Sequence, residues 1–349
     1  MQLKREDDFK IVLVSPLPPP IGGIASWTQE YMKYIEEKNI KCHLINSAVV
    51  GDRIGTERVS YTDEIRRMID LRRQLKYCTK KEKNTVVHYN ASCFTKGLLR
   101  DLLVLNSVRS PIVYQCHCNL DTNLDNKLAR ILFYLICKKV SAVCVLNSSS
   151  KVTAEKYHKD VYYVPNFVRE VQCSQKEINK KIKKVCFVGR VEKKKGIQEL
   201  LEAARKLPEI EFNIIGPIKD EMFNNINMLN VNFWGAVENK DVINILKNMD
   251  VYILPSYSEG FPLGVLEAMS CGVPIVASDV GSIRDMIEEK GGVLIKPHSS
   301  DDIVNAIDKI ESKEVRRNMS EYNTEKVEKC YTIDAVMKRF SCIYSLYKE

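Results

Sequence analysis

No C-x-x-C pair occurs among the twelve cysteines, and nothing at zinc-finger spacing accompanies Cys116 and Cys118, which flank His117. That excludes the common structural zinc frameworks, and no metal site is expected. Cys137, Cys144 and Cys186 sit in apolar runs, where a thiol serves as a small core residue. The opening stretch MQLKREDDFK is charged and lacks the apolar segment of a signal peptide. Reduced thiols in a cytoplasmic protein are the expectation. The longest apolar run, Ile131 to Cys137, has seven residues, against about 20 for a membrane-spanning helix. It is predicted to be a buried helix. Neither G-x-G-x-x-G nor G-x-x-x-x-G-K-[ST] is present, which argues against standard dinucleotide and P-loop sites. Nucleic-acid-binding motifs are missing and aromatics do not interleave with basic residues, so no nucleic-acid partner is expected. Short tandem repeats and low-complexity segments are absent as well.

What is there fits two folded domains. The 349 residues exceed one ordinary core, and 45% hydrophobic with 28% charged residues excludes a disordered or fibrous chain. The net charge of +8 is uneven: residues 1–170 hold 27 Lys+Arg against 18 Asp+Glu, and the remainder 26 against 27. A basic first half suits an anionic membrane surface or phosphorylated substrates. The stretch Ile65 to Lys83 concentrates this charge, with Arg66, Arg67, Arg72, Arg73, Lys76, Lys80, Lys81 and Lys83 among apolar residues. It reads either as a docking segment for anionic lipid or as a solvated helix face.

Apolar runs alternate with helical patterns. Strands are expected at 10–15, 86–89, 111–117 and 141–146, with helices at 25–37, 97–107 and 125–139. A polar, Lys-rich linker covers 169–183. A second series follows: strands at 183–190, 211–216, 231–235, 251–256 and 274–279, and helices at 196–206, 239–248, 262–270 and 282–288. Tyr331 to Tyr347 reads as a final amphipathic helix. The alternation points to an α/β chain of two consecutive Rossmann-like halves.

Such folds bind ligands beyond the carboxyl ends of their strands, and candidate residues fall there. Gly22 and Gly23 open the first helix; they either admit a phosphate or form an ordinary turn. His117 ends a strand, as a ligand contact or as a core histidine satisfied by backbone; His88 is a weaker candidate of the same kind. Arg190 and Lys195 follow a strand, either gripping a diphosphate or belonging to a solvated basic loop with Lys193 and Lys194. Glu259 follows the strand VYILPS, and Phe261, Pro262, Leu263 and Gly264 open a helix whose free N–H groups suit a phosphate or sugar oxygen. Glu267 lies inside the apolar helix VLEAMSCG, where a buried carboxylate needs a partner; a ribose diol would supply one.

Together these segments resemble the retaining glycosyltransferases of family 4. The most specific part is EGFPLGVLEAMSCGVPIVASDVGSIRDMI, with two glutamates eight apart followed by A-x-x-x-G-x-P. GRVEKKKG is similar to the family's G-R-x-x-x-x-K-G segment. VPNFV is similar to its P-N-G-V, with Phe167 in place of glycine, and VNFWGAV to its F-x-G-x-V element. The resemblance implies the GT-B fold, with two Rossmann-like domains facing each other across a donor-binding cleft. Residues 1–168 would form the acceptor-binding domain, with the helix 331–349 packing back on it, and 184–330 the nucleotide-sugar domain. It also implies roles: Arg190 and Lys195 on the donor diphosphate, Glu267 on the ribose, and Glu259 with the N–H groups of Phe261 to Gly264 on the transferred sugar. His117 would contact that sugar, and Gly22 and Gly23 would close over the diphosphate.

With fixed cations at the leaving group a metal is dispensable, and no D-x-D element stands at the expected place. The expected substrates are a UDP- or GDP-sugar donor and a saccharide acceptor, polyprenyl-linked, in bacterial capsule, O-antigen or exopolysaccharide synthesis. The expected location is cytoplasmic, peripheral at the anionic inner face of the cell membrane. No separate cofactor is expected. The competing readings are a sugar-nucleotide 2-epimerase on the same fold and a non-catalytic sugar-nucleotide-binding module.

Overall fold

The computed structural model describes residues 10–18, 22–48, 61–80, 84–172 and 176–347. They divide into two compact units, one running to Asn166 and resuming at Val336, the other running from Phe167 to Ala335. Each is built on a six-stranded sheet in which the paired strands are parallel.

The first unit contains β1 (Lys10–Ser15), β2 (Cys42–Asn46), β3 (Thr85–Ala91), β4 (Ile112–Cys116), β5 (Ala142–Val145) and β6 (Val161–Tyr163), in the order β2-β1-β3-β4-β5-β6. Its helices are α1 (Gly23–Glu37), α2 (Tyr61–Lys80), α3 (Thr95–Leu105), α4 (Leu120–Asn123), α5 (Lys127–Cys137) and α6 (Ser148–Ala154). Strands of a parallel sheet are covered on both faces, so they read as nearly continuous apolar runs. On one face Val87, Tyr89, Tyr114 and Val143 pack against Leu75 of α2, Leu98 and Val104 of α3, and Phe133 and Ile136 of α5. Asp101 of α3 is fully buried in this layer. It accepts hydrogen bonds from the Tyr89 and Tyr114 hydroxyls at 2.7 and 2.8 Å and from the Arg100 guanidinium, so the buried charge is paired. The intervening strand residues point to the other face. There His88 is surrounded by Tyr31 of α1 and by Phe340 and Tyr344.

The second unit contains β7 (Lys184–Val188), β8 (Glu211–Ile215), β9 (Val231–Gly235), β10 (Val251–Leu254), β11 (Ile275–Ser278) and β12 (Gly292–Ile295), in the order β12-β11-β10-β7-β8-β9. Its helices are α7 (Ile197–Lys206), α8 (Asn239–Lys247), α9 (Leu263–Ser270), α10 (Ile283–Ile287), α11 (Ser300–Lys309) and α12 (Lys313–Lys326). The last helix, α13 (Ile333–Ser345), begins in this unit and carries Phe340 and Tyr344 in the first. In both sheets the first strand has neighbours on either side, which sets topological switch points at β1/β3 and β7/β10.

The expected elements are found, with boundaries differing by a few residues. Three readings change. The run Ile131 to Cys137 is helical but not buried all round, because α5 covers the sheet with one side only: Leu128, Ile131, Tyr134 and Leu135 are exposed. The predicted helix 125–139 is preceded by a separate short turn of helix, α4. Residues 176–183 do not run free. Ile178 and Ile182 are buried, and the Asp250 carboxylate accepts from the Asn179 side chain and the Lys183 and Lys184 N–H groups at 2.8–2.9 Å. Strand β2 went unread because CHLIN mixes polar and apolar residues; it is an edge strand with Ile45 as its fully buried side chain.

Candidate functional site

The β7/β10 switch point is where the second unit concentrates its charge. The loop after β7 carries Arg190 to Lys195, and the loop after β10 carries Glu259. They are held together by backbone. Tyr257 donates its N–H to the Lys194 carbonyl at 2.9 Å. Gly196, at φ 72°, lies against Pro255, whose carbonyl oxygen would be 2.1 Å from an added Cβ. On this frame the Lys195 ammonium donates to Glu259 Oε1 at 2.7 Å, with side chains only 18% and 9% exposed. Shielding strengthens the attraction between the two charges and raises the cost of leaving either one unpaired.

Glu259 is positioned from a second direction. Gly281, at φ 60°, approaches so closely that an added Cβ would be 2.0 Å from the Glu259 carbonyl oxygen, and Ser282 donates its N–H to the Gly260 carbonyl. Phe261 and Pro262 are buried, and the Phe261 ring stands edge-on to Tyr331 at 5.8 Å. Pro262 is the N-cap of α9 and supplies no side-chain hydrogen bond, so the cap leaves the first N–H groups, from Leu263 and Gly264, to other acceptors.

Glu267, further along α9, is half-buried. Burial pushes its pKa up to about 7, opposed by a hydrogen bond from Asn239. The Asn239 amide, at the start of α8, donates to Oε1 at 2.7 Å. Asn239 is a protein partner for the carboxylate besides the ribose diol that the sequence suggests, and no motif around it signals the contact. Arg190 is exposed and meets Glu192 at 3.4 Å, as does Lys194 at 3.5 Å. The structure therefore brings Lys195 to Glu259, Glu267 to Asn239 and Arg190 to Glu192.

In the first unit the strand ends are uncharged. Gly22 is the N-cap of α1 and Gly23 its first residue; both are exposed, with open space where a Cβ would be. Behind them Ser15 and Thr28 hydroxyls lie 2.6 Å apart, and Asn90 donates to Ser15 at 2.9 Å, a buried network that sequence reasoning missed. His117 follows β4, donates its backbone N–H to the Ala91 carbonyl and sets its ring edge-on to Trp27 at 5.4 Å. Burial, assisted by His88, lowers its pKa to about 3, and its Nε2 has no hydrogen-bond partner among the described residues. His88 differs. Its Nδ1 lies 2.6 Å from the Tyr344 hydroxyl and its Nε2 2.9 Å from Gln115 Oε1, so both nitrogens are satisfied inside the core. Of the basic stretch, Ile65 to Lys80 belongs to α2, whereas Lys81 and Lys83 lie outside the described residues.

Comparison with known proteins agrees with this organisation. Residues 168–327 match the family described as glycosyl transferases group 1. A 41.2 kDa protein from the cps region of Klebsiella pneumoniae, itself uncharacterized, is 28% identical over 66% of this chain and 70% of its own. The N,N'-diacetylbacillosaminyl-diphospho-undecaprenol alpha-1,3-N-acetylgalactosaminyltransferase of Campylobacter jejuni is 29% identical over 59% of this chain and 55% of its own. Among solved structures, sucrose-phosphate synthase from Thermosynechococcus elongatus superposes with a TM-score of 0.78 at 16% identity, covering 97% of this chain and 98% of that one. HepE from Anabaena, in complex with UDP and glucose, gives 0.72 at 15% identity, covering 97% and 99%. The chain thus has the GT-B fold of these glycosyltransferase structures, and its residues 168–327 carry the pattern of the group 1 glycosyltransferases.

Proposed function

We propose that the protein is a retaining, metal-independent glycosyltransferase that moves a sugar from a UDP- or GDP-sugar to a polyprenyl-linked saccharide in bacterial surface polysaccharide synthesis. The observation that carries this reading is the shielded Lys195–Glu259 pair at the β7/β10 switch point, beside the N-terminus of α9. A cation and a carboxylate there can serve the two ends of the bond that breaks. Cleavage develops negative charge on the diphosphate, which Lys195 and Arg190 stabilise, and positive charge on the sugar, whose hydroxyls Glu259 holds. Fixed charges in a shielded site need no reorganisation as the bond breaks. The N–H groups at the start of α9 take phosphate or sugar oxygens, and Glu267 accepts from the ribose diol. His117, neutral at physiological pH, makes a polar contact to the sugar, and Gly22 and Gly23 admit the diphosphate.

For the retained configuration the acceptor oxygen bonds to the anomeric carbon on the face the phosphate leaves, and a phosphate oxygen takes the acceptor's proton. The acceptor class draws on the Campylobacter relative, whose name specifies a diphospho-undecaprenol-linked saccharide, and on the cps region of the Klebsiella relative. Among the described residues no helix is long and apolar enough to cross a membrane, and the proposed place of work is the cytoplasmic face.

A screen of UDP- and GDP-sugars with saccharide acceptors tests this, the product anomer being read by nuclear magnetic resonance. Transfer with retained configuration is expected, lost in Glu267→Ala and Arg190→Ala. An inverted product rejects the retaining mechanism. Epimerisation without acceptor, or binding without turnover, rejects the transferase. Unchanged donor affinity and turnover in both variants rejects the site.

A further inference from the structure

Ten of the fifteen large apolar side chains exposed among the described residues lie on α2, α3 and α5 or, as Phe94, directly before α3. Scattered exposed apolar residues are ordinary; a concentration on adjacent helices of one layer is not. The spacing makes stripes. Leu99 and Leu103 are four apart on α3, and Leu128, Ile131 and Leu135 follow at three and four on α5, all 41–56% exposed. Between them Leu98 and Val104, and Leu132, Phe133 and Ile136, are buried on the sheet. Each stripe therefore points outward by helical geometry, and α3 packs against both α2 and α5.

The same outer layer is cationic. Exposed Arg66, Arg72, Arg73 and Lys76 lie along α2, and Lys127 and Arg130 flank the α5 stripe, against exposed Asp70 and the partly exposed Asp63 and Glu64, the last paired with Arg67. A second copy of this chain docked face to face across a two-fold axis would set these cations against each other. An anionic bilayer meets both features at once. Leucine and isoleucine enter the boundary between headgroups and chains, and arginines and lysines lay their stems on apolar surface with their charges on lipid phosphates.

We infer that the outer face of α2, α3 and α5 is a docking surface for an anionic lipid bilayer. The apolar stripes of α3 and α5 insert, and the α2 cations set the lipid preference. This sharpens the proposed work on a lipid-linked acceptor by naming the face that meets the membrane. It rests on that reading only for its purpose, since vesicle binding needs neither donor nor acceptor.

The test is flotation of the full chain with phosphatidylglycerol-containing vesicles and with pure phosphatidylcholine vesicles. Binding to the anionic vesicles is expected, weakened about ten-fold or more by Leu128→Ser, Ile131→Ser and Leu135→Ser together, and comparably by Arg72→Glu with Arg73→Glu. Met222→Ser with Leu229→Ser, exposed apolar positions of the second unit, is expected to bind as the parent does. Circular-dichroism melting confirms that each variant is folded. No flotation of the parent with anionic vesicles, or undiminished flotation of the folded triple variant, overturns the inference. So does a dimer that the triple variant converts to monomer while neither protein floats.

Discussion

At the carboxyl ends of its strands the second unit gathers Lys195, Glu259, Arg190, Glu192 and Glu267, whereas the first gathers Ser15, Asn90 and His117, with His88 deeper, in the middle of β3. Both units are parallel six-stranded sheets with a switch point beside the first strand, so topology does not account for the contrast. One rim holds ions in pairs, Lys195 with Glu259 and Arg190 with Glu192, and sets Glu267 on the neutral Asn239 amide. The other has its titratable groups neutralised by burial, with both histidines held far below their ordinary pKa. On the proposed reaction, the charged rim answers the charge that develops as the diphosphate leaves, and the neutral rim contributes shape and hydrogen bonds.

The sharpest way to break this contrast is to remove the shielded cation. Lys195→Ala is expected to lower turnover by about 10²–10³, the order found when a fixed group facing developing charge is deleted. Steady-state kinetics with the cognate donor measure it, and a loss under about three-fold would place the charge stabilisation elsewhere. The two histidines come next. His88→Ala strips partners from Tyr344 and Gln115 and opens a cavity, with an expected cost of about 2–4 kcal/mol in denaturant unfolding. His117→Ala, whose ring nitrogen Nε2 has no protein partner among the described residues, is expected to keep stability within about 1 kcal/mol while slowing transfer.

The smallest effect is in the pH dependence. Glu267 has a pKa raised to about 7 by burial, so its carboxylate is largely protonated below that value and ionised above it. An ionised carboxylate accepts both hydroxyls of a diol. The donor KM is therefore expected to fall a few-fold between about pH 6 and about pH 8, and Glu267→Gln to flatten the profile. His117, neutral throughout that window, contributes no slope to it.

Legibility also divides between the units. Strand and helix alternation was readable in the inner strands and their helices, because inner parallel strands are continuous apolar runs, but not at the edge strands β2, β6 and β12 or at α6, α11 and α12. The segment from Glu259 to Gly272 was readable residue by residue, since Gly, Pro and Glu at fixed offsets define a loop, a helix start and its end. Contacts between distant segments were not. Asn239 reaches Glu267 across 28 positions, and Tyr344 reaches His88 across 256. The apolar run of α5 was misjudged for a related reason. Hydropathy counts apolar residues but cannot tell which side of a helix meets the sheet, and Leu128, Ile131 and Leu135 lie on the side that does not.

The ion pair between Lys195 and Glu259 bears on how a catalytic cycle ends. A lone ammonium would hold the nucleoside diphosphate product as firmly as it stabilised its departure from the sugar, and each turnover would wait on release. Here the ammonium has a carboxylate to return to, 2.7 Å away, on a backbone that Gly281 packs against at Glu259 and the Ser282 N–H holds at Gly260. Once the sugar is gone, Glu259 competes for Lys195 and loosens the product. Glu259→Gln should therefore bind nucleoside diphosphate more tightly while transferring sugar more slowly, with the slow step moved from chemistry toward dissociation.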